Sequence, residues 1–161
     1  MFNLNKKIYL KILFFLSIIV LITAYVIEYV FGYTPCNLCI IERIPYIISI
    51  IILIFYYIKK KNLTFCSLLL ILTFGFSLIV SLYHLGIEQG LIDETSICVS
   101  KNINLITKED ILKSLLNYTV SCKDVAFRIL NLSLTTYNIF ISILMFLISI
   151  KIYRITNDTK K

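Results

Sequence analysis

Charge is scarce in this sequence. Only 16% of its 161 residues are Asp, Glu, Lys or Arg, and 59% are hydrophobic, whereas a soluble domain carries about a quarter charged residues. The deficit excludes an ordinary soluble protein, because so short a chain has too little polar surface to wrap its apolar segments. Histidine occurs once, at His84. No His follows Cys39, which excludes c-type haem attachment, and no βαβ pattern is present, which excludes a thioredoxin fold. No small-x-small cleavage site follows the first apolar run, and that run exceeds the roughly 7–15 residues of a signal-peptide core. It reads as an uncleaved anchor. No internal repeat or low-complexity linker divides the chain, so residues 1–161 read as a single integral membrane domain.

What is abundant is apolar sequence in four blocks, about 8–31, 40–58, 63–87 and 129–150. A helical bilayer crossing takes about 20 residues. Each block qualifies, the second only if it starts near Ile40. The expected fold is all-α, a four-helix transmembrane bundle. The net charge of +7 points to membrane lipid rather than nucleic acid, because of where it sits. Lys6, Lys7 and Lys11 precede the first block, Lys59, Lys60 and Lys61 join the second to the third, and Lys151, Arg154, Lys160 and Lys161 follow the fourth. The remaining six basic residues are spread over longer sequence, and six acidic residues between Glu88 and Asp124 offset them. The positive-inside rule puts both termini in the cytoplasm and the loops after the first and third blocks outside.

This topology sorts the cysteines. Cys36, Cys39, Cys98 and Cys122 fall outside or at the outer boundary, and an even number there reads as two disulfides. Cys66, at the cytoplasmic end of the third block, reads as a small apolar residue. The outer segment 88–128 holds a capping-box-like start at Thr107-Lys108-Glu109-Asp110, with Asp in place of Glu or Gln. Ile111, Leu112, Leu115 and Leu116 then form one apolar face, which predicts a short helix over about Thr107–Tyr118 lying on the outer membrane surface. Cys98 precedes that helix and Cys122 follows it. Ser121 and Asp124 make a second box-like start, leading into the fourth block.

The stretch Thr34-Pro35-Cys36-Asn37-Leu38-Cys39-Ile40-Ile41-Glu42-Arg43 concentrates the chemistry. Thr34 is an expected N-cap and Pro35 an expected first helical residue. Cys36 would then lie in the first turn, where unpaired N–H groups favour a thiolate. Pro45 should disturb and bend the helix. Arg43 shares the face of Cys39; it reads either as a cation beside that thiol or as an interfacial anchor snorkelling to headgroups. Glu42 is costly at this depth unless used or paired. Glu28 reads as interfacial, and Tyr25, Tyr29 and Tyr33 as an aromatic belt. His84 closes the third block as a hydrogen-bonded interfacial residue or a catalytic one, with Glu88 one turn on. A four-cysteine zinc site stays open, but Cys98 and Cys122 lack knuckle spacing and the outward placement favours disulfides. No residue is assigned to a metal.

Taken together, these motifs resemble the disulfide bond formation protein B (DsbB) family. The resemblance rests on four membrane helices, Pro35-Cys36-x-x-Cys39-x-x-x-Arg43, Tyr83-His84-x-Gly86-x-Glu88, and Cys122-Lys123-Asp124-x-x-x-Arg128-x-Leu130-x-x-Ser133-x-x-x-x-Asn138. The chain departs from it in having Asn131 where many relatives have Gly, and no Trp, with Phe127 as the aromatic residue after Asp124. The vitamin K epoxide reductase-like family couples similar parts, but its loop pair precedes its Cys-x-x-Cys. A non-catalytic membrane protein with structural disulfides is the reading from another class; it leaves Arg43 and the helix-start cysteines unexplained.

The resemblance implies a multi-pass protein of the bacterial inner membrane, with periplasmic cysteine loops, that reoxidises a DsbA-type thioredoxin-fold partner. It implies that Cys98 and Cys122 take electrons from that partner and hand them to Cys36 and Cys39, through a Cys36–Cys122 link. A membrane quinone, ubiquinone or menaquinone, is the implied acceptor beside Cys39, with Arg43 and His84 as its contacts. A partner with a potential of about −120 mV needs such a strong terminal oxidant.

Overall fold

The computed structural model describes residues 2–59, 62–95, 98, 120–123, 128–129 and 132–158. Its helices are α1 (Phe2–Tyr29), α2 (Asn37–Ile41), α3 (Ile44–Lys59), α4 (Leu63–Glu88) and α5 (Leu134–Asp158). Four segments are long and apolar enough to cross a membrane: Lys6–Tyr29, Asn37–Lys59, Leu63–Glu88 and Leu134–Asp158. The all-α four-helix architecture expected from the apolar blocks is therefore the one observed. The expected surface helix over Thr107–Tyr118 lies outside the described residues.

The helices pack as a ring, α1 on α3, α3 on α4, α4 on α5 and α5 back on α1. Large apolar side chains fill the core of the half that carries the α3–α4 turn, among them Leu13, Leu53, Leu70, Phe74, Met145 and Ile152, all fully buried. Where helices come closest, the buried residues are small. Ser17 on α1 meets Ser49 on α3 at 2.7 Å, and Ser77 on α4 meets Ser142 on α5 at 2.9 Å. Small hydroxyl residues let backbones approach, and their hydrogen bonds join helices in a medium that offers no water. The outward faces carry Phe15, Ile19, Ile51, Leu72, Ile79 and Leu147, all exposed. So much outward apolar surface fits lipid rather than water.

Several boundaries differ from those read in the sequence. The cap of α2 is Cys36 rather than Thr34: its backbone is extended, and its sulfur accepts the Cys39 N–H at 3.2 Å. The helix thus starts two residues later than the Thr34 cap would put it, and the Cys36 sulfur serves the third donor of α2. The helix also breaks at Glu42–Arg43, just ahead of Pro45, and resumes as α3. Proline has no N–H to continue the ladder, so the discontinuity falls immediately before it.

At the other end, α5 starts at Leu134 and not near 129. Arg128–Ile129 (β1) and Leu132–Ser133 (β2) pair antiparallel in a minimal ladder first, with Arg128 opposite Ser133. The helix then runs on past Lys151 and Arg154 to Asp158. Between α3 and α4, Asn62 takes the left-handed conformation at φ 54°, one that Asn tolerates better than most residues. At the C-terminal end of α4, Ile92 folds back onto Gly86. A Cβ on Gly86 would lie 2.7 Å from the Ile92 Cδ1, so any larger residue there requires the Ile92 side chain to shift.

Candidate functional site: two cysteine pairs over a buried carboxylate–histidine network

The site lies at the end of the bundle opposite the α3–α4 turn, where the α2–α3 break meets the end of α4 and the start of α5. Cys36, Leu38, Ile87, Cys98 and Cys122 form one buried cluster, with Cys39 and Tyr83 packed against it. The fold thus brings together two cysteine pairs that are far apart in sequence. Cys98 and Cys122 are joined in a disulfide with Cα atoms 5.3 Å apart. Cys36 and Cys39 are free thiols, the first buried and the second half-buried. Cys66, the other free thiol among the described residues, is buried on α4 away from this cluster.

The disulfide segment is tied down by polar contacts. Glu94 accepts hydrogen bonds from the Ser121 hydroxyl and from the Lys123 N–H, the latter at 3.0 Å. The Ser121 bond is the main reason the Glu94 carboxyl is held below the usual carboxylate range, with the Lys123 N–H adding to it. Ser121 therefore binds Glu94 instead of starting α5, and its expected box partner Asp124 lies outside the described residues. Tyr83 on α4 meets Thr95 at 3.1 Å through their hydroxyls.

Cys36 is held from two sides. Its sulfur accepts the Cys39 N–H, and the His84 Nε2 lies 3.5 Å away. Hydrogen bonding from the Cys39 thiol, then the His84 ring, outweigh burial and push the Cys36 thiol down to about 5. The ordinary thiol lies near 8.5, so Cys36 is a thiolate at neutral pH. The low value follows from charge-assisted contacts at the cap.

His84 is oriented by Glu42 and Thr135, which sequence reading did not connect to it, beside Glu88, which it did. Its Nδ1 donates to Glu42 Oε1 at 2.9 Å, and the Thr135 hydroxyl oxygen lies 3.2 Å from the same nitrogen. Thr135 in turn donates to Glu88 at 2.5 Å, and Glu88 lies 3.7 Å from the His84 Nε2. Glu42, 8% exposed, accepts a second bond from Asn138 Nδ2 at 3.0 Å. Asn138 also bonds Ser81 at 2.8 Å, and its carbonyl takes the Tyr46 hydroxyl. Glu42 had one legible signal, a charge at a depth where charge is costly. Asn138 had none beyond the family motif and Thr135 had none at all, because their partners come from other helices.

Arg43 points to the other side of the break. Its guanidinium donates to Glu28 Oε2 at 2.5 Å and lies 5.0 Å over the Tyr25 ring. Glu28 and Tyr25, read as interfacial residues of the first block, are its partners. Arg43, Cys36, Cys39, His84 and Cys122 all border one cavity of about 280 Å³, walled otherwise mainly by aliphatic side chains of α1 and α5. That is near the lower end of ligand pockets. An apolar slot with a guanidinium, an imidazole and a thiol at its edge suits a flat ring bearing polar oxygens.

Comparison with known proteins agrees with this arrangement. The family described as Disulfide bond formation protein DsbB matches residues 6–152. An uncharacterized protein of Rickettsia prowazekii (strain Madrid E) is 35% identical over 141 residues, covering 85% of this chain and 81% of that protein. No solved structure matches. With the match running from the first helix into the last, the chain belongs to the DsbB family, multi-pass membrane proteins of disulfide bond formation.

Proposed function

We propose that this protein reoxidises a DsbA-type thioredoxin-fold partner on the periplasmic side of the bacterial inner membrane and passes the electrons to a membrane quinone. The observation that carries the proposal is the single buried cluster holding Cys36, Cys98 and Cys122 at the edge of an apolar cavity. Basic residues concentrated at the termini and the α3–α4 turn support cytoplasmic ends.

The exchange steps balance in thiols. A thiolate of the reduced partner attacks Cys98, which breaks the Cys98–Cys122 bond and frees Cys122 as a thiolate. The second partner thiolate then displaces Cys98 and leaves the partner oxidised. Cys122 attacks Cys36 of an oxidised Cys36–Cys39 pair, and Cys39 departs as the thiolate. Cys98 then attacks Cys122, restores the outer disulfide and releases Cys36. Free Cys36 and Cys39 beside a closed Cys98–Cys122 bond correspond to the end of this sequence. The low Cys36 pKa makes it a good leaving group in the last step.

Bound quinone supplies an acceptor of two electrons and two protons. Arg43, fixed by Glu28 and Tyr25, holds a positive charge at the cavity edge, which favours a thiolate and any anion that develops there. His84, with Nδ1 engaged by Glu42, presents Nε2 to the Cys36 sulfur and holds a proton at that atom. The aliphatic walls keep water out.

The test is a thiol count on purified, reduced protein after addition of a soluble quinone. Loss of the Cys36 and Cys39 thiols with matching quinol formation is expected. Cys36→Ser and Cys39→Ser should each abolish quinone reduction while partner binding survives. Normal quinone turnover in either variant refutes the assignment.

A further inference from the structure

The reduced inner pair has a geometry that thiol exchange does not require. The sulfurs of Cys36 and Cys39 and a nitrogen of His84 lie within 4.8 Å of one another. Two thiols and one imidazole make a donor set suited to a thiophilic cation. The Cys36 Sγ to His84 Nε2 distance is 3.5 Å. A tetrahedral zinc ion with Zn–S of about 2.3 Å and Zn–N of about 2.05 Å requires a sulfur–nitrogen edge of about 3.6 Å. The observed edge already matches.

The orientation of the imidazole matches too. Metal-bound histidines commonly donate their other N–H to a carboxylate, which fixes the ring and raises its basicity. Here Glu42 takes the Nδ1 proton, Thr135 sits on the same nitrogen, and Nε2 is turned to the thiols. Glu88, 3.7 Å from Nε2, adds negative charge beside the set. The three donors border the cavity, which leaves a fourth position for water.

We propose that reduced Cys36 and Cys39, together with His84, bind one Zn²⁺ ion, and that the ion locks the inner pair in its reduced form. Binding transfers no electrons. Zn²⁺ replaces the proton on the Cys39 sulfur and the proton shared between the Cys36 sulfur and Nε2, and these go to solvent. Oxidation of the pair to a disulfide removes two electrons and two of the three ligands, so the oxidised protein has no such site. Metal occupancy and oxidation of the pair are mutually exclusive. The inhibitory consequence rests on the proposed thiol-oxidase function, whereas the binding itself does not.

The experiment uses the full chain in detergent, reduced and anaerobic, titrated with Co²⁺ as a spectroscopic probe and then with Zn²⁺. A Cys98→Ser/Cys122→Ser background keeps the outer thiols from competing. One equivalent of Co²⁺ should bind with a sulfur-to-cobalt charge-transfer band and the visible bands of a tetrahedral ion, and Zn²⁺ should displace it. Cys66→Ser should change nothing. Cys36→Ser should remove the charge-transfer site, and Glu42→Gln should weaken binding by about 10- to 100-fold, the usual effect of losing such a carboxylate. If a variant fails to fold, the same protein with the inner pair oxidised is the comparison, and it should bind no Co²⁺ there. Equal affinity in the oxidised and reduced forms, or no sulfur-to-cobalt band in the reduced form, overturns the proposal. Quinone reduction measured with a chelator present separates this result from failure of the thiol-oxidase reading.

Discussion

Removing the His84 ring should be visible directly at Cys36. The perturbation is His84→Ala. The ring nitrogen is 3.5 Å from the Cys36 sulfur and is one of the contacts that bring this thiol down to about 5. A hydrogen bond to a charged group contributes about 1.5–3 kcal/mol, and one pKa unit corresponds to about 1.4 kcal/mol. The loss therefore raises the Cys36 midpoint by about one to two units. The value stays below an ordinary thiol, because the Cys39 N–H and thiol still contact the sulfur.

The sign follows from which form is stabilised. The ring favours the thiolate, so without it the thiolate appears at higher pH. At about pH 6 the thiolate fraction should fall from about nine-tenths to between about one-half and one-tenth. The assay is the pH dependence of alkylation of reduced protein, anaerobic and with chelator, with Cys36 quantified by peptide mass. A midpoint that stays where it is in the wild type, or moves down, refutes the role given to His84.

Three further outcomes are expected. Arg43→Lys should raise the quinone KM by on the order of tenfold, about 1.4 kcal/mol, since an ammonium cannot match the guanidinium that both pairs with Glu28 and lies flat over Tyr25; unchanged KM and kcat in steady-state kinetics would make Arg43 an interfacial anchor. A reduced partner whose second cysteine is replaced by Ser should stay trapped as a covalent adduct on Cys98, because the step that displaces Cys98 is removed, read on a non-reducing gel and by peptide mass, and an adduct on Cys122 instead reverses the order of the pair. Because its folded-state pKa is depressed, Glu94 holds the Lys123 N–H above its unfolded pKa and releases it as pH falls through the folded one. The protection of that amide, its exchange rate compared with the intrinsic rate at each pH, should therefore fall in acid, and in Glu94→Gln it should lose this dependence.

By itself the sequence determined the class of the protein and most of its chemistry. Four apolar blocks of spanning length fix a membrane bundle, because a buried backbone in lipid must satisfy itself within each helix. The Cys-x-x-Cys and its Arg are a local pattern, and local patterns survive in one dimension. Pro45 likewise announced the break that lies just before it.

What only the tertiary structure decided is which residues meet across helices. Glu42 is a single costly charge in the sequence; in the fold it is the link between His84 on α4 and Asn138 on α5. Glu28 and Tyr25, reasonable as belt residues, are the partners of Arg43. Cys36 replaced Thr34 as the cap because α2 starts at Asn37, where the Cys36 sulfur accepts the Cys39 N–H. The donor set of two thiols and an imidazole has no ligand spacing along the chain, since His84 arrives on α4 from the far side of a membrane crossing. Periodicity records which face of a helix is apolar, but pairing between helices depends on their rotation and depth, and those are fixed only when all four pack.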